Sequence, residues 1–243
     1  MQLLKKIWFR DLCLKNGLMF TDEQIEQLEY YVVLLLEWNK KINIISRKDE
    51  ENIWTNHILH CVCPLFMLDI KRNSSIVDIG TGGGLPGIPI KILRPDISLL
   101  CIDSTGKKIK AVSQMISDLK LENINTLWGR AEEIGLRPEY SRNFDFAIAR
   151  AVAPLNELLF WSKNFLKTNE QIEFSMKANI HGRMNLNSPS LLAFKGGDVS
   201  KEIEIAKRRE PQLNIQTIDL VFSGSEQLNT SEKKIIIAHF KKN

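Results

Sequence analysis

The apolar positions of the chain change period near residue 75. Before it they recur at helical spacing. Leu3, Leu4, Ile7 and Leu14 form a loose stripe that stops at Gly17. Thr21, with Gln24 three residues on, has the form of a capping box, and Ile25, Leu28, Val32, Leu35 and Trp38 then share one face, which predicts a second helix over 22–40. After a turn-like Asn43-Ile44-Ile45-Ser46, Asp49 is expected to cap a third helix that buries Ile53, Trp54, His57, Ile58 and Cys61 and ends before Asn73.

From residue 75 short apolar runs at 76–79, 97–102, 124–127 and 144–149 are bounded by Gly, Pro or polar clusters. Between the second and third lies an amphipathic stretch, 107–120, with Ile109, Val112, Ile116 and Leu119 on one side. Helical patterns follow at 154–166 and 199–209, a fifth strand at 191–194, and a terminal antiparallel pair at 215–221 and 234–240. Strand and helix in alternation imply a mostly parallel, seven-stranded α/β sheet covered on both faces. The expected division is a helical extension over 1–73 and an α/β core over 74–243, with a polar stretch at 167–190 as a possible insertion.

Composition narrows the class without naming an activity. With 44% hydrophobic and 26% charged residues in 243, the chain has the make-up of a globular protein with a sizeable core. The formal net charge of +4 is modest, no basic arm is present, and the run 207–209 reads as a solvated helix end. Cys13, Cys61, Cys63 and Cys101 sit in apolar surroundings without metal-ligand spacing and read as buried free thiols. His60, His181 and His239 have no ligand partners in sequence, so no metal is expected. No stretch approaches the ~20 apolar residues of a membrane span or the core of a signal peptide, so no membrane association and a cytoplasmic location are expected.

The richest chemistry lies in Val77-Asp78-Ile79-Gly80-Thr81-Gly82-Gly83-Gly84-Leu85-Pro86-Gly87, which leaves a strand and enters a helix. Glycines clustered at that junction suit positive φ angles and close approach of a ligand, making Gly80, Thr81, Gly82, Gly84 and Leu85 candidate ligand contacts. Gly82, Gly84 and Gly87 satisfy a dinucleotide fingerprint. Asp78 tilts the choice, because a carboxylate beside the loop repels a pyrophosphate and attracts a sulfonium or amino group. S-adenosylmethionine is such a ligand, and Asp103, at the end of the next strand, could accept its ribose hydroxyls. Ala131 and Glu132, after the third strand, could lay backbone amides against an adenine edge. Arg150 closes the fourth strand at the ligand-binding end, either as an ion-pair member or as a contact to ligand or substrate. Lys195 ends the fifth strand, and His57 and Asn43 are further candidates for substrate contact.

With these residues in view the chain resembles the bacterial glucose-inhibited division protein B family, small-subunit ribosomal RNA guanine-N7 methyltransferases. The carrying segments are Asn43-Ile44-Ile45-Ser46, Asn56-His57-Ile58-Leu59, the glycine segment with Leu85-Pro86-Gly87-Ile88-Pro89, Asp103-Ser104, Arg130-Ala131-Glu132-Glu133, Ala149-Arg150-Ala151 and Lys195-Gly196. The resemblance implies a Rossmann-like methyltransferase core behind a helical extension, with S-adenosyl-L-methionine as cofactor and 16S ribosomal RNA or the 30S subunit as partner. It also implies cofactor contacts at Gly80, Leu85, Ala131, Glu132 and Arg150. The chain departs from the pattern at Asn56, where a basic residue is common, and at Gly83, between the second and third glycines. A monomer is expected.

Guanine N7 carries a lone pair and no hydrogen, so its methylation needs positioning and no general base. Arg150 is the candidate catalytic residue, pairing with guanine O6 or a phosphate. No Gly-x-Ser-x-Gly or His-Glu-x-x-His motif supports a hydrolase. Two other readings stay open at this point, an NAD(P)-dependent oxidoreductase and a non-catalytic RNA-binding or ribosome assembly factor that keeps the cofactor pocket.

Overall fold

The computed structural model describes residues 2–168, 182–228 and 233–240, and most of the polar stretch at 167–190 lies outside them. Seven strands form one sheet: β1 (Ser75–Ile79), β2 (Ser98–Asp103), β3 (Ile124–Trp128), β4 (Phe146–Arg150), β5 (Ser190–Gly196), β6 (Asn214–Asp219) and β7 (Lys233–His239). Their order is β3-β2-β1-β4-β5-β7-β6, with β7 antiparallel to both neighbours and the remaining pairs parallel. The α/β sheet with an antiparallel terminal pair is therefore present as expected. The fourth strand starts two residues late, at Phe146, because the Asp145 carboxylate is drawn to the Ser75 amide (2.8 Å) and Phe144 instead bridges Leu166.

The central strands read as unbroken apolar runs because both faces are covered. On β4, Phe146 and Ile148 face one hydrophobic layer while Ala147 and Ala149 face the other. The first layer carries the N-terminal helices α1 (Gln2–Lys15) and α2 (Asp22–Asn39), together with α3 (Gly87–Leu93) and α4 (Gly106–Asp118). The second carries α5 (Ala131–Ile134), α6 (Leu155–Phe165) and α7 (Ser200–Arg209), packed on small alanines.

Three local expectations of the helical segment meet different outcomes. The capping box holds: Gln24 N–H donates to the Thr21 hydroxyl (3.3 Å), and Thr21 N–H to the Gln24 side chain (2.9 Å). The stripe of α1 is corrected, since Ile7 and Leu14 are exposed while Phe9, Leu12 and Cys13 are buried, Phe9 against Trp54 at a ring separation of 5.2 Å. The larger aromatic surface wins the core face. Asp49 does not cap a helix. Ser46 does, accepting from Lys48 N–H, and the chain then passes through a 3₁₀ segment (Arg47–Asn52), a π turn (Trp54–Leu59) and short helices at His60–Val62 and Pro64–Met67. Ile53, Trp54, Ile58 and Cys61 are buried as expected, and all four cysteines are buried and free. Leu68–Asp69 pairs in parallel with Met184–Asn185 beside the main sheet.

This segment grips the glycine loop. The buried Tyr31 hydroxyl donates to the Gly83 carbonyl (2.8 Å), and a Cβ on Gly83 would come within 2.4 Å of Ile44 and 2.7 Å of Leu35. The turn that carries Ile44 is shaped by buried Asn39, whose side-chain oxygen accepts from the amides of Ile44 and Ile45 and whose amide donates to Glu50. Tyr31→Phe leaves the Gly83 carbonyl without its donor and is expected to lower stability by about 1 kcal/mol in chemical denaturation at unchanged m. An unchanged midpoint would show that the contact contributes nothing.

Candidate functional site

The loops at the carboxyl ends of the parallel strands meet above β1 and β2, where open α/β sheets place their ligands. Gly80 leaves β1 with φ +68°, and a Cβ there would lie 2.6 Å from both methyl carbons of Val152, in the loop after β4. Only glycine allows that approach. The rest of the loop is held from below by Asp78. Its Oδ2 accepts from the Thr81 hydroxyl (2.6 Å) and the Gly87 amide (3.0 Å), while Oδ1 is buried and has no partner among the described residues.

Asp78 therefore lies beneath the loop and outside the recess. The side chain is fully buried inside the loop, because a carboxylate removed from water must gather what donors it can. Burial pushes its pKa up to about 7, against the lowering pull of Thr81, Gly87 and Arg150. Thr81 is likewise buried, and its amide donates to the Ile102 carbonyl (2.9 Å). Gly84, at φ +92°, packs on Ile88, and Leu85 is buried. These residues shape the loop from within.

A recess of about 100 Å³ opens beside the loop. Of the expected residues, Gly80, Asp103, Ala131 and Glu132 line it; Asp78, Thr81, Gly82, Gly84, Leu85 and Arg150 do not. Val152 and Trp161 form an apolar wall that carried no signal in the sequence. Asp103 accepts the Gly82 amide (2.9 Å) and the Thr105 amide (2.8 Å), one on each oxygen, fixing two loops and keeping lone pairs for hydroxyl donors. The amides of 131 and 132, in the first turn of α5, have no carbonyl within the helix to bond. Vicinal hydroxyls and an adenine edge fit this donor and acceptor set.

Arg150 ends β4 on the face that carries Phe146 and Ile148, so its guanidinium points to the N-terminal helices and away from the recess. Its Nη2 donates to His57 Nδ1 at 2.9 Å. His57 Nε2 lies 3.7 Å from the Asp49 carboxylate, which in turn accepts from Asn56 (2.8 Å). Burial first and Arg150 second lower the His57 pKa to about 4. His60, packed edge-on against Phe194, falls to about 2 for the same reasons. Asn43 is exposed on the turn after α2.

Lys195, expected as a substrate contact, is engaged within the fold. Its ammonium donates to the Ala153 carbonyl (2.8 Å) and pairs with Glu202 (2.7 Å), which also accepts from the Leu155 amide. The lysine sits on the second hydrophobic face and pins the loop that carries Val152. Thiol chemistry finds no support, since burial pushes Cys61 up to about 11 and Cys101 well above the ordinary thiol range. Among the described residues no group of His, Cys, Asp and Glu could hold a metal ion, and no helix is long and apolar enough to cross a membrane.

The Asp78 pKa gives a stability prediction. A carboxyl whose folded pKa is raised contributes stability that is complete below the unfolded value of 3.8 and lost as pH rises through about 7. Asp78→Asn keeps an acceptor for Thr81 and Gly87 and removes the buried charge. Its stability relative to the parent is therefore expected to rise between pH 5 and pH 8 in paired denaturant titrations. A difference that stays flat or falls would contradict the placement of Asp78.

Comparison with known proteins bears on the same residues. The family model described as rRNA small subunit methyltransferase G matches residues 24–214, which include the glycine loop, the recess and Arg150. The chain is 36% identical over 231 residues to "Ribosomal RNA small subunit methyltransferase G" of Chlorobaculum tepidum, covering 94% of this chain and 95% of that protein. To the protein of the same name from Porphyromonas gingivalis it is 38% identical over 183 residues, 75% of each. Among solved structures, M. jannaschii TYW2 in complex with AdoMet superposes with a TM-score of 0.53 at 11% identity, over 84% of this chain and 80% of that one. A SAM-dependent methyltransferase from Aquifex aeolicus gives 0.52 at 12% identity, over 84% and 97%. These two likenesses identify the fold as the Rossmann-like methyltransferase fold. The span and identity of the sequence matches settle the lineage: this chain belongs to the GidB family of small-subunit ribosomal RNA methyltransferases.

Proposed function

We propose that the chain transfers a methyl group from S-adenosyl-L-methionine to N7 of a guanine in 16S ribosomal RNA, as a monomer acting on the RNA or on the 30S subunit. The observation that carries this reading is the family match across residues 24–214, which encloses a carboxylate-bearing recess at the end of β1. The guanine N7 acceptor and the 30S partner rest on the family resemblance. When bound, the donor supplies an electrophilic methyl group on a sulfonium.

In this reading Asp103 receives the ribose hydroxyls, the amides of Ala131 and Glu132 meet the adenine edge, and Val152 and Trp161 exclude water from the apolar side. Gly80 leaves its backbone accessible where a side chain would intrude. Asp78 acts through the loop, by fixing Thr81 and Gly87. Arg150, at the end of β4 beside His57, offers its guanidinium to an acceptor oxygen on the base or a phosphate. No residue needs to remove a proton, because N7 has none to lose. The contribution of the chain is alignment, which can lower a barrier by several kcal/mol, up to about 7–11 in favourable intramolecular cases.

Titration of the purified chain with S-adenosylmethionine and with NAD, followed by transfer of labelled methyl to 30S subunits from cells lacking the gene, tests the reading. It expects saturable binding of the first ligand alone and incorporation into 16S RNA as N7-methylguanosine. NAD binding without S-adenosylmethionine binding would support an oxidoreductase; cofactor binding without incorporation would support an assembly factor. Gly80→Ala forces a Cβ against Val152 at positive φ, and is expected to weaken donor binding by about tenfold or more while the far-ultraviolet spectrum is kept. Donor affinity equal to the parent would remove the glycine loop from the site.

A further inference from the structure

Arg150 is unusual in its company. Its guanidinium has five N–H donors and cannot lose its charge. Among the described residues the partner it bonds is the His57 imidazole, a neutral acceptor, and no carboxylate forms an ion pair with it. The bond also fixes the tautomer of the ring. Arginine can only donate, so His57 Nδ1 carries the lone pair and the ring proton sits on Nε2, facing Asp49 at 3.7 Å. Asn56, donating to the other oxygen of Asp49 at 2.8 Å, holds that carboxylate on the far side of the ring. The negative charge is therefore kept one imidazole away from the guanidinium.

The backbone supports a deliberate placement. His57 lies in a π turn, Trp54–Leu59, an irregularity that rotates side chains out of helical register and occurs often at functional sites. Strand parity puts a second cation on the same face. Arg150 is opposite Phe194 on β5, and Gly196, two residues further along that face, is opposite Lys233 on β7. Gly196 has no side chain to separate them. Burial first and Arg150 second lower the Lys233 pKa, as they lower that of His57. The carboxylates that act on this group of cations, Asp49 beside His57 and the buried Asp78, form no ion pair with Arg150 among the described residues.

We infer that His57 is a positioning residue that orients Arg150 as a neutral acceptor, so that the guanidinium keeps its full charge for an acceptor oxygen of the bound ligands. This rests on the methyltransferase reading above. The oxygen belongs either to RNA, as a phosphate or guanine O6, or to the carboxylate of the donor, and the two sources shift different constants. A carboxylate at position 57 would orient Arg150 at least as firmly but would neutralise it. Transfer and ligand affinity then separate the Gln and Glu variants, which a merely structural contact would not produce, whereas stability also carries the repulsion between a carboxylate at 57 and Asp49.

The test compares His57→Gln and His57→Glu with the parent protein. Gln and Glu are nearly isosteric, so a packing defect strikes both, and only the charge differs. Thermal midpoints, rates of methyl transfer to unmodified 30S subunits, and equilibrium binding of S-adenosylmethionine and of small-subunit RNA are measured on all three. His57→Gln is expected to retain transfer within about threefold, and His57→Glu to lose about tenfold or more, with the thermal midpoints showing that both variants are folded at the assay temperature. A raised KM for the subunit assigns the oxygen to RNA; a raised KM for the donor assigns it to the donor carboxylate. Equal rates and equal affinities in the two variants overturn the inference. A parent protein that transfers no methyl would count against the methyltransferase reading instead, and the two binding titrations would still decide the role of His57.

Discussion

A carboxylate sealed from water, Asp78, governs the geometry of the loop on which the site depends. With one oxygen committed to Thr81 and Gly87 and the other without a partner among the described residues, it dictates where the chain leaves β1 and where α3 begins. The loop so formed hands its Gly82 amide to Asp103, which ties it to the end of β2. Gly80, facing Val152, marks the point at which the loop after β4 leans in. A buried charge is a costly support unless its donors are well placed, and these donors belong to the loop that must be held.

The N-terminal helices serve the same loop from the other face. Tyr31 holds the Gly83 carbonyl, Leu35 and Ile44 occupy the space a side chain would need, and the π turn delivers His57 to Arg150. One hydrophobic cluster runs from Phe9 and Trp54 through Leu35 to Ile76 and Phe194 without a polar break. The helical segment thus braces the glycine loop from the side opposite the recess, whose lining comes from the ends of the strands and the loops that follow them. Lys195 and Glu202 hold the loop that carries Val152 from the opposite layer.

Much of this was legible in the residues, for physical reasons that also explain what was not. Strands covered on both faces leave apolar runs, and a glycine cluster between strand and helix has few structural alternatives. Helix faces were harder, because α1 offers aliphatic residues on one side and Phe9 on the other, and only the contact with Trp54 selects between them. The segment from Ser46 to Met67 shows one helical periodicity in sequence but passes through tight and wide turns, so Asp49 looked like a cap when it faces a histidine. Pairs such as His57 with Arg150, 93 residues apart, leave no local trace. The bonds of Lys195 to Ala153 and Glu202 were equally hidden, because those partners are brought to it by different connections.

The central claim is that these supports hold a methyl donor against a guanine N7 of 16S ribosomal RNA. Mass analysis of nucleosides from 16S RNA of cells with and without the gene tests it most directly. The account predicts an N7-methylguanosine that is present in the parent, absent from the deletion and restored by the intact chain but not by its Gly80→Ala form. An identical nucleoside profile in parent and deletion would contradict it.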